Sequence, residues 1–155
     1  MIAGEVIFRP ATEADLPALV ALLADDALGQ GREDSGEPLN PRYLAAFNAL
    51  KADANQLLVA AERAGEVIGV FQLSFIPGLS HCGSWRGQIE SVRVAASERG
   101  SGLGGQLMDW AIEECRRRGC HLVQLTSDKA RADAHRFYER LGFKASHEGF
   151  KLTLE

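Results

Sequence analysis

The chain has little of what several protein classes require. Lys and Arg number 17 against 21 Asp and Glu, a formal net charge of −4. No basic excess is available to neutralise phosphates, so a nucleic-acid partner is not expected. Long hydrophobic runs are missing too: the best candidate, Leu16–Leu23, is ended by Asp25 and Asp26, too short to cross a bilayer. The start, Met1-Ile2-Ala3-Gly4-Glu5, lacks the basic residues and apolar run of a signal peptide. Cysteine is scarce, three residues at no metal-ligand spacing, an odd number that suits a reducing compartment. His81 and Cys82 are adjacent but have no second ligand pair. The expectation is a cytoplasmic, metal-free protein that binds neither nucleic acid nor membrane.

What is present fits one ordinary domain. A chain of 155 residues with 46% hydrophobic and 25% charged residues can bury a sizeable core. Val6-Ile7-Phe8-Arg9 reads as a strand stopped by Pro10, and Thr12-Glu13-Ala14-Asp15 as a capping box opening a helix. Leu16, Leu19, Val20 and Leu23 share one face of that helix. Polar, Gly-rich residues 29–40 read as a mobile loop, and a second helix follows Pro41. Leu57–Ala61 and Val67–Phe75 predict an antiparallel hairpin about the turn Arg63-Ala64-Gly65. After an irregular loop from Pro77 to Gly87, Gln88–Val94 predicts a strand, Leu103–Arg118 a helix and His121–Thr126 a strand. A helix over Ala132–Leu141 and a last strand at Lys151–Leu154 complete the pattern. Hairpins followed by a strand–loop–helix–strand unit imply a mixed α/β sheet in one domain, 1–155.

The segment Arg99-Gly100-Ser101-Gly102-Leu103-Gly104-Gly105 lies between a strand and a helix. The first turn of a helix has N–H groups without internal partners, and its dipole adds partial positive charge. Glycines let a phosphate approach that backbone closely, and Arg99 adds a cation at the rim. A nucleotide P-loop would end in Gly-Lys-Ser/Thr, whereas this one ends Gly104-Gly105-Gln106. A dinucleotide fingerprint is formally matched by Gly100, Gly102 and Gly105, with Asp128 after the next strand. Yet the loop stands six positions beyond Val94, and Lys129–Glu155 is too short to complete a dinucleotide fold. A glycine-rich turn without a ligand is the remaining alternative.

Two motifs in order carry a resemblance. Val92-Arg93-Val94 leads to Arg99-Gly100-Ser101-Gly102-Leu103-Gly104, and Ala134-His135-Arg136-Phe137-Tyr138 leads to Leu141-Gly142-Phe143. Together they resemble the GNAT superfamily of N-acetyltransferases, in their Arg/Gln-x-x-Gly-x-Gly/Ala loop and their Phe/Leu-Tyr helix. The resemblance implies a splayed, mostly antiparallel mixed sheet of about six to seven strands with about four helices. It implies acetyl-CoA wedged between the Gln88–Val94 and His121–Thr126 strands. Backbone of Val92, Arg93 and Val94 would bond the pantetheine arm, and Arg99, Gly100, Ser101, Gly102, Leu103, Gly104 and Gly105 would hold the pyrophosphate. Ser127, Lys129, Arg131 and His135 complete the implied cofactor set. Arg131 stands where many relatives carry Asn, so Arg131 or Lys129 is expected at a phosphate or at the acceptor instead.

Acetyl transfer to an amine needs a base, because a lysine-like amine of pKa ~10.4 is mostly protonated at neutral pH. Glu90 is the candidate base, placed on the face of Val92 and Val94 by simple alternation. The competing role for Glu90 is a salt bridge to Arg86 or Arg93. Tyr138 is the candidate acid for the leaving thiolate by its place in the family motif, against a purely packing role on its helix. Glu33, Asp34, Trp85 and Arg86 are candidates for the acceptor, which is expected to be a small amine or amino acid. A protein lysine or N-terminus, or a non-catalytic acyl-CoA-binding sensor, stays open. Relatives are often dimers, so a homodimer is among the implications.

Overall fold

Ala64 and Gly65 both take positive φ, 52° and 82°. This is the two-residue turn that matches the right-handed twist of flanking strands. It joins β2 (Gln56–Arg63) to β3 (Glu66–Ile76). In the computed structural model, which describes residues 4–154, this hairpin is the centre of a five-stranded sheet of order β1-β2-β3-β4-β5. β1 (Val6–Pro10) pairs antiparallel with β2, and β4 (Trp85–Val94) antiparallel with β3. β5 (Cys120–Leu125) lies beside β4. The chain divides into two compact units between Gln124 and Leu125.

In the first unit helices cover both faces of the sheet. A 3-10 turn, Glu13–Asp15, leads into α1 (Leu16–Ala24), and α2 (Pro41–Ala52) follows residues 29–40. Leu16, Leu19 and Phe47 pack on Ala60 and Val70 on one face. The other face receives α4 (Leu103–Arg117), whose Leu103, Leu107, Met108, Ala111 and Cys115 are buried. Trp110 of α4 packs on Phe8 and Phe71, with ring centroids 6.0 and 5.8 Å apart. α4 approaches β4 closely at Gly87. A Cβ there would overlap the Cys115 sulfur and lie 3.2 Å from its Cβ, so only glycine fits. Burial, then the neighbouring Cys120, pushes the Cys115 thiol up to about 12.

The capping box takes a more elaborate form than its residues alone imply. The Asp15 carboxylate accepts from the Thr12 N–H (2.7 Å) and hydroxyl (3.1 Å), and from both Arg9 Nη atoms at 2.7 and 3.0 Å. The Arg9 hydrogen bond is the main reason its carboxyl is held at about 2 instead of its ordinary 3.8. Arg9 also reaches Glu62 at 3.2 Å, tying the helix entry to the hairpin.

Three expectations need correction. β4 begins at Trp85, so Trp85 and Arg86 belong to the strand; the loop before it closes through α3 (Ser80–Gly83), one turn with left-handed His81 and Cys82. Among the described residues the sheet has five strands, not six to seven, and Lys151–Leu154 forms none. Phe150, Leu152 and Leu154 alternate as a strand would, yet they are 90, 85 and 86% exposed. An apolar rhythm with no hydrogen-bonding neighbour does not make a strand.

The third correction concerns Glu90. Register on β3 runs Val70↔Arg93 and then Gln72↔Glu90, so Ser91 and Val92 together oppose one residue, Phe71. Ser91 takes the left-handed φ of 57° that this bulge requires. The extra residue breaks alternation. Glu90 therefore shares the α1–α2 face with Gln72, Val70 and Arg93, while Ile89 and Val94 share the opposite face.

Candidate active site

The loop between β4 and α4 is fixed before its glycines begin. Ala95 donates to Ile68 O (2.8 Å), and a 3-10 turn covers Ala96–Glu98. The Glu98 carboxylate pairs with Arg63, which also bonds Gly4 O at 2.8 Å. Ser101 then turns back on Glu98, its N–H and hydroxyl both reaching the Glu98 carbonyl at 3.1 and 2.6 Å. The Ser101 oxygen in turn accepts the Leu103 N–H at 3.3 Å. This anchor of Arg63 and Glu98 was not legible in the sequence, because a strand and a distant loop become neighbours only on folding.

Beyond this anchor the backbone opens. Gly102 caps α4 with φ 86°, and the first helical bond is Gln106 N–H to Gly102 O at 3.2 Å. The amides of Gly104 and Gly105 precede that bond and have no partner among the described residues. A Cβ at Gly100, Gly102 or Gly105 would meet nothing within 4 Å. Gly105 is the informative case, since glycine inside a helix costs about 1 kcal/mol against alanine and no neighbour here demands it. Room reserved beside free amides at a helix start fits a diphosphate, and hence the pyrophosphate of coenzyme A. Arg99 stands exposed at the rim.

On β4, the Glu90 carboxylate is exposed and, among the described residues, makes neither an ion pair nor a side-chain hydrogen bond. The salt bridges to Arg86 or Arg93 are not made. Arg93 instead lies 3.1 Å from Asp26 through Nε, a charge contact off the N–H direction, and its Nη1 donates to Val92 O at 2.8 Å. Trp85 is 37% exposed at the start of the strand. In residues 29–40, Glu33 accepts from Tyr43 (2.9 Å) and Arg32 (2.8 Å), and Arg32 chiefly holds its carboxyl below the usual range. Asp34 accepts from Gly36 N–H at 3.2 Å and Asn40 at 3.3 Å. Both acidic side chains thus organise their own loop.

The second unit carries the remaining candidates. α5 (Ala132–Arg140) follows an Asx turn in which Asp128 Oδ1 accepts the Ala130 N–H at 2.8 Å. An open cavity of about 390 Å³ lies at the helix start, lined by Ala130–Ala134. Arg131 is exposed there as the cap residue, Lys129 is exposed beside it, and His135 Nε2 lies 2.8 Å from Asp128 O. Ser127 Oγ is buried with no hydrogen-bond partner, an orphaned polar atom of the sort a ligand satisfies. The Tyr138 ring packs edge-on between Phe137 and Phe143, at 5.3 and 6.0 Å.

Comparison with known proteins gives the family of the chain. The sequence profile of the Acetyltransferase (GNAT) family matches residues 17–143. The chain is 41% identical over 108 residues to an aminoalkylphosphonate N-acetyltransferase of Salmonella typhimurium, covering 70% of each. It is 37% identical over 148 residues to a glucosamine 6-phosphate N-acetyltransferase of Trypanosoma brucei brucei, covering 94% of each. A crystal structure described as a transcriptional regulator from Bacillus halodurans C-125 superposes with a TM-score of 0.94 at 51% identity, over 97% of this chain and 100% of that one. The chain belongs to the GNAT family of acetyltransferases. It is an enzyme of the acyl-CoA-dependent N-acetyltransferase class, with acetyl-CoA as its donor. No helix among the described residues is long and apolar enough to cross a membrane.

Proposed function

We propose that this chain acetylates the primary amine of a small acceptor by direct attack, with Glu90 as general base and Tyr138 as general acid. The observation that carries the reading is Glu90: a carboxylate on β4 that is exposed and uncommitted, while the neighbouring cation Arg93 is engaged by Asp26. When bound, acetyl-CoA supplies an activated thioester. Gly104 and Gly105 N–H groups with Arg99 hold the pyrophosphate, and Val92, Arg93 and Val94 offer backbone to the pantetheine arm. Ser127, Lys129, Arg131 and His135 are the proposed polar contacts of the second unit. Glu90 removes a proton from the acceptor's ammonium, directly or through water. The Tyr138 hydroxyl gives its proton to the departing sulfur, a transfer that positioning must support because a phenol has pKa about 10.

Small acceptors are favoured over protein lysines or N-termini by the similar proteins, which are described as acting on an aminoalkylphosphonate and on glucosamine 6-phosphate. The family profile runs across both units, which supports one catalytic domain over the whole chain. The test is free thiol released from acetyl-CoA across a panel of amines, amino acids and peptides. Glu90→Gln and Tyr138→Phe should each lower kcat by about 10²-fold or more, with coenzyme A affinity retained. Wild-type turnover in either variant removes that residue from the mechanism.

A further inference from the structure

The face of the sheet that carries Glu90 also carries an in-register row of neutral polar side chains that the reaction has not used. Gln56 opposes Ser74 across β2 and β3, and Ser74 opposes Gln88 across β3 and β4. Gln124 of β5 continues the row, donating to Gln88 Oε1 at 3.0 Å. One pleat along, Gln72 opposes Glu90 and donates to Gln56 Oε1 at 3.2 Å, beside the Ser74 hydroxyl at 2.8 Å. At about 4.8 Å per strand the row spans roughly 14 Å, with Glu90 about 7 Å from it.

The hydrogen bonds within the row leave half of it unspent. Each amide has two donors and an acceptor oxygen. The Gln56 and Gln88 amide nitrogens and the Gln72 and Gln124 oxygens have no partner among the described residues, yet none is buried without one. They therefore face solvent, and they alternate between donor and acceptor. Among the described residues no Lys or Arg bonds these four glutamines: Arg93 is held at Asp26, Arg86 stands one pleat beyond Gln88 with its guanidinium toward Gly78, and Lys51 lines a cavity with Gln56 at the β2 end of the row. A surface of neutral amides matches hydroxyl groups, which both donate and accept. An anionic group would instead be drawn to the ends of the row, to Arg86 or Lys51.

Resting on the acetyltransferase reading above, we propose that Gln56, Gln72, Gln88 and Gln124 form the floor of the acceptor site, and that the acceptor is a hydroxylated primary amine of the amino-sugar class. Ring hydroxyls lie on the glutamines and the amine is left within reach of Glu90.

The experiment titrates glucosamine, cyclohexylamine and aminomethylphosphonate into the chain saturated with coenzyme A, and measures kcat/KM for each. Glucosamine should bind at least ~10-fold more tightly than cyclohexylamine, the equivalent of one or two net hydrogen bonds. Gln88→Leu, and separately Gln124→Ala at the sheet edge, should cut that preference at least ~3-fold with the coenzyme A Kd and Tm retained. Equal binding of glucosamine and cyclohexylamine, tighter binding of aminomethylphosphonate, or a preference that survives both substitutions would overturn the proposal. Thiol release from none of the three would count against the reaction itself, whereas the titration judges the floor independently.

Discussion

Replacing Gly87 by alanine adds one methyl group at a close contact between β4 and α4. Built on the present backbone, that carbon overlaps Cys115 Sγ and sits 3.2 Å from Cys115 Cβ and 3.7 Å from Cys120 Sγ. Cys115 is fully buried, so its sulfur has nowhere to turn and the strand or the helix must yield. Overpacking of this kind costs about 1–3 kcal/mol. For a chain of this size that is a fall in Tm of roughly 2–12 °C. Cys115→Ala alone removes one buried atom, a loss of about 1 kcal/mol. Because it also deletes the obstacle, the double variant should be more stable than the sum of the single effects by at least ~1 kcal/mol. Urea denaturation of the four proteins measures the cycle. Additive effects, or a Gly87→Ala chain as stable as the parent, would refute the packing argument.

Asp15 gives a prediction in pH. Its carboxyl is held at about 2, first by Arg9, against an ordinary 3.8. A depressed carboxylate stabilises the fold fully above its unfolded pKa and loses that contribution as pH falls from about 4 through about 2, a span worth about 2 kcal/mol. Asp15→Asn should forfeit that stability at neutral pH and show a shallower acid limb; equal stability at neutral pH would argue against it. Glu98→Gln weakens the tie to Arg63 that anchors the proposed phosphate loop. It should raise KM for acetyl-CoA several-fold with a smaller change in acceptor KM, as measured by thiol release. An unaltered acetyl-CoA KM would mean that the Ala95 and Ser101 backbone bonds hold the loop unaided.

Features set by a few adjacent residues were legible before folding. Ala64-Gly65 marks its hairpin, the apolar spacing from Leu103 to Cys115 marks α4, and the glycines after Arg99 mark the loop proposed to hold the donor. Features that depend on what comes alongside were not. Lys151–Leu154 has the rhythm of a strand but no neighbour, and rhythm is all that a linear reading detects. The bulge at Ser91 carries no glycine or asparagine to announce its positive φ. The glutamine row joins positions 56, 72, 88 and 124, whose relation is a matter of register between strands. Gly87 looks like one more loop glycine until α4 is packed against it.

That single extra residue in β4 acts as a phase shifter. Ahead of it, even-numbered residues such as Gln88 and Glu90 look toward α1 and α2; behind it, the odd-numbered Arg93 does, while Val94 enters the opposite core. The two halves of one strand are thus composed in opposite parity. Substitutions at Ser91 or Val92 alter a side chain, whereas removing either residue would restore one-to-one pairing with Phe71, leaving Glu90 and Val94 on their present faces but taking away the bend and added twist that the bulge puts beside Glu90. For this strand, the extra residue sets the course of the backbone and not the faces on which Glu90 and Val94 lie, and the bend it makes falls next to the carboxylate proposed as the base.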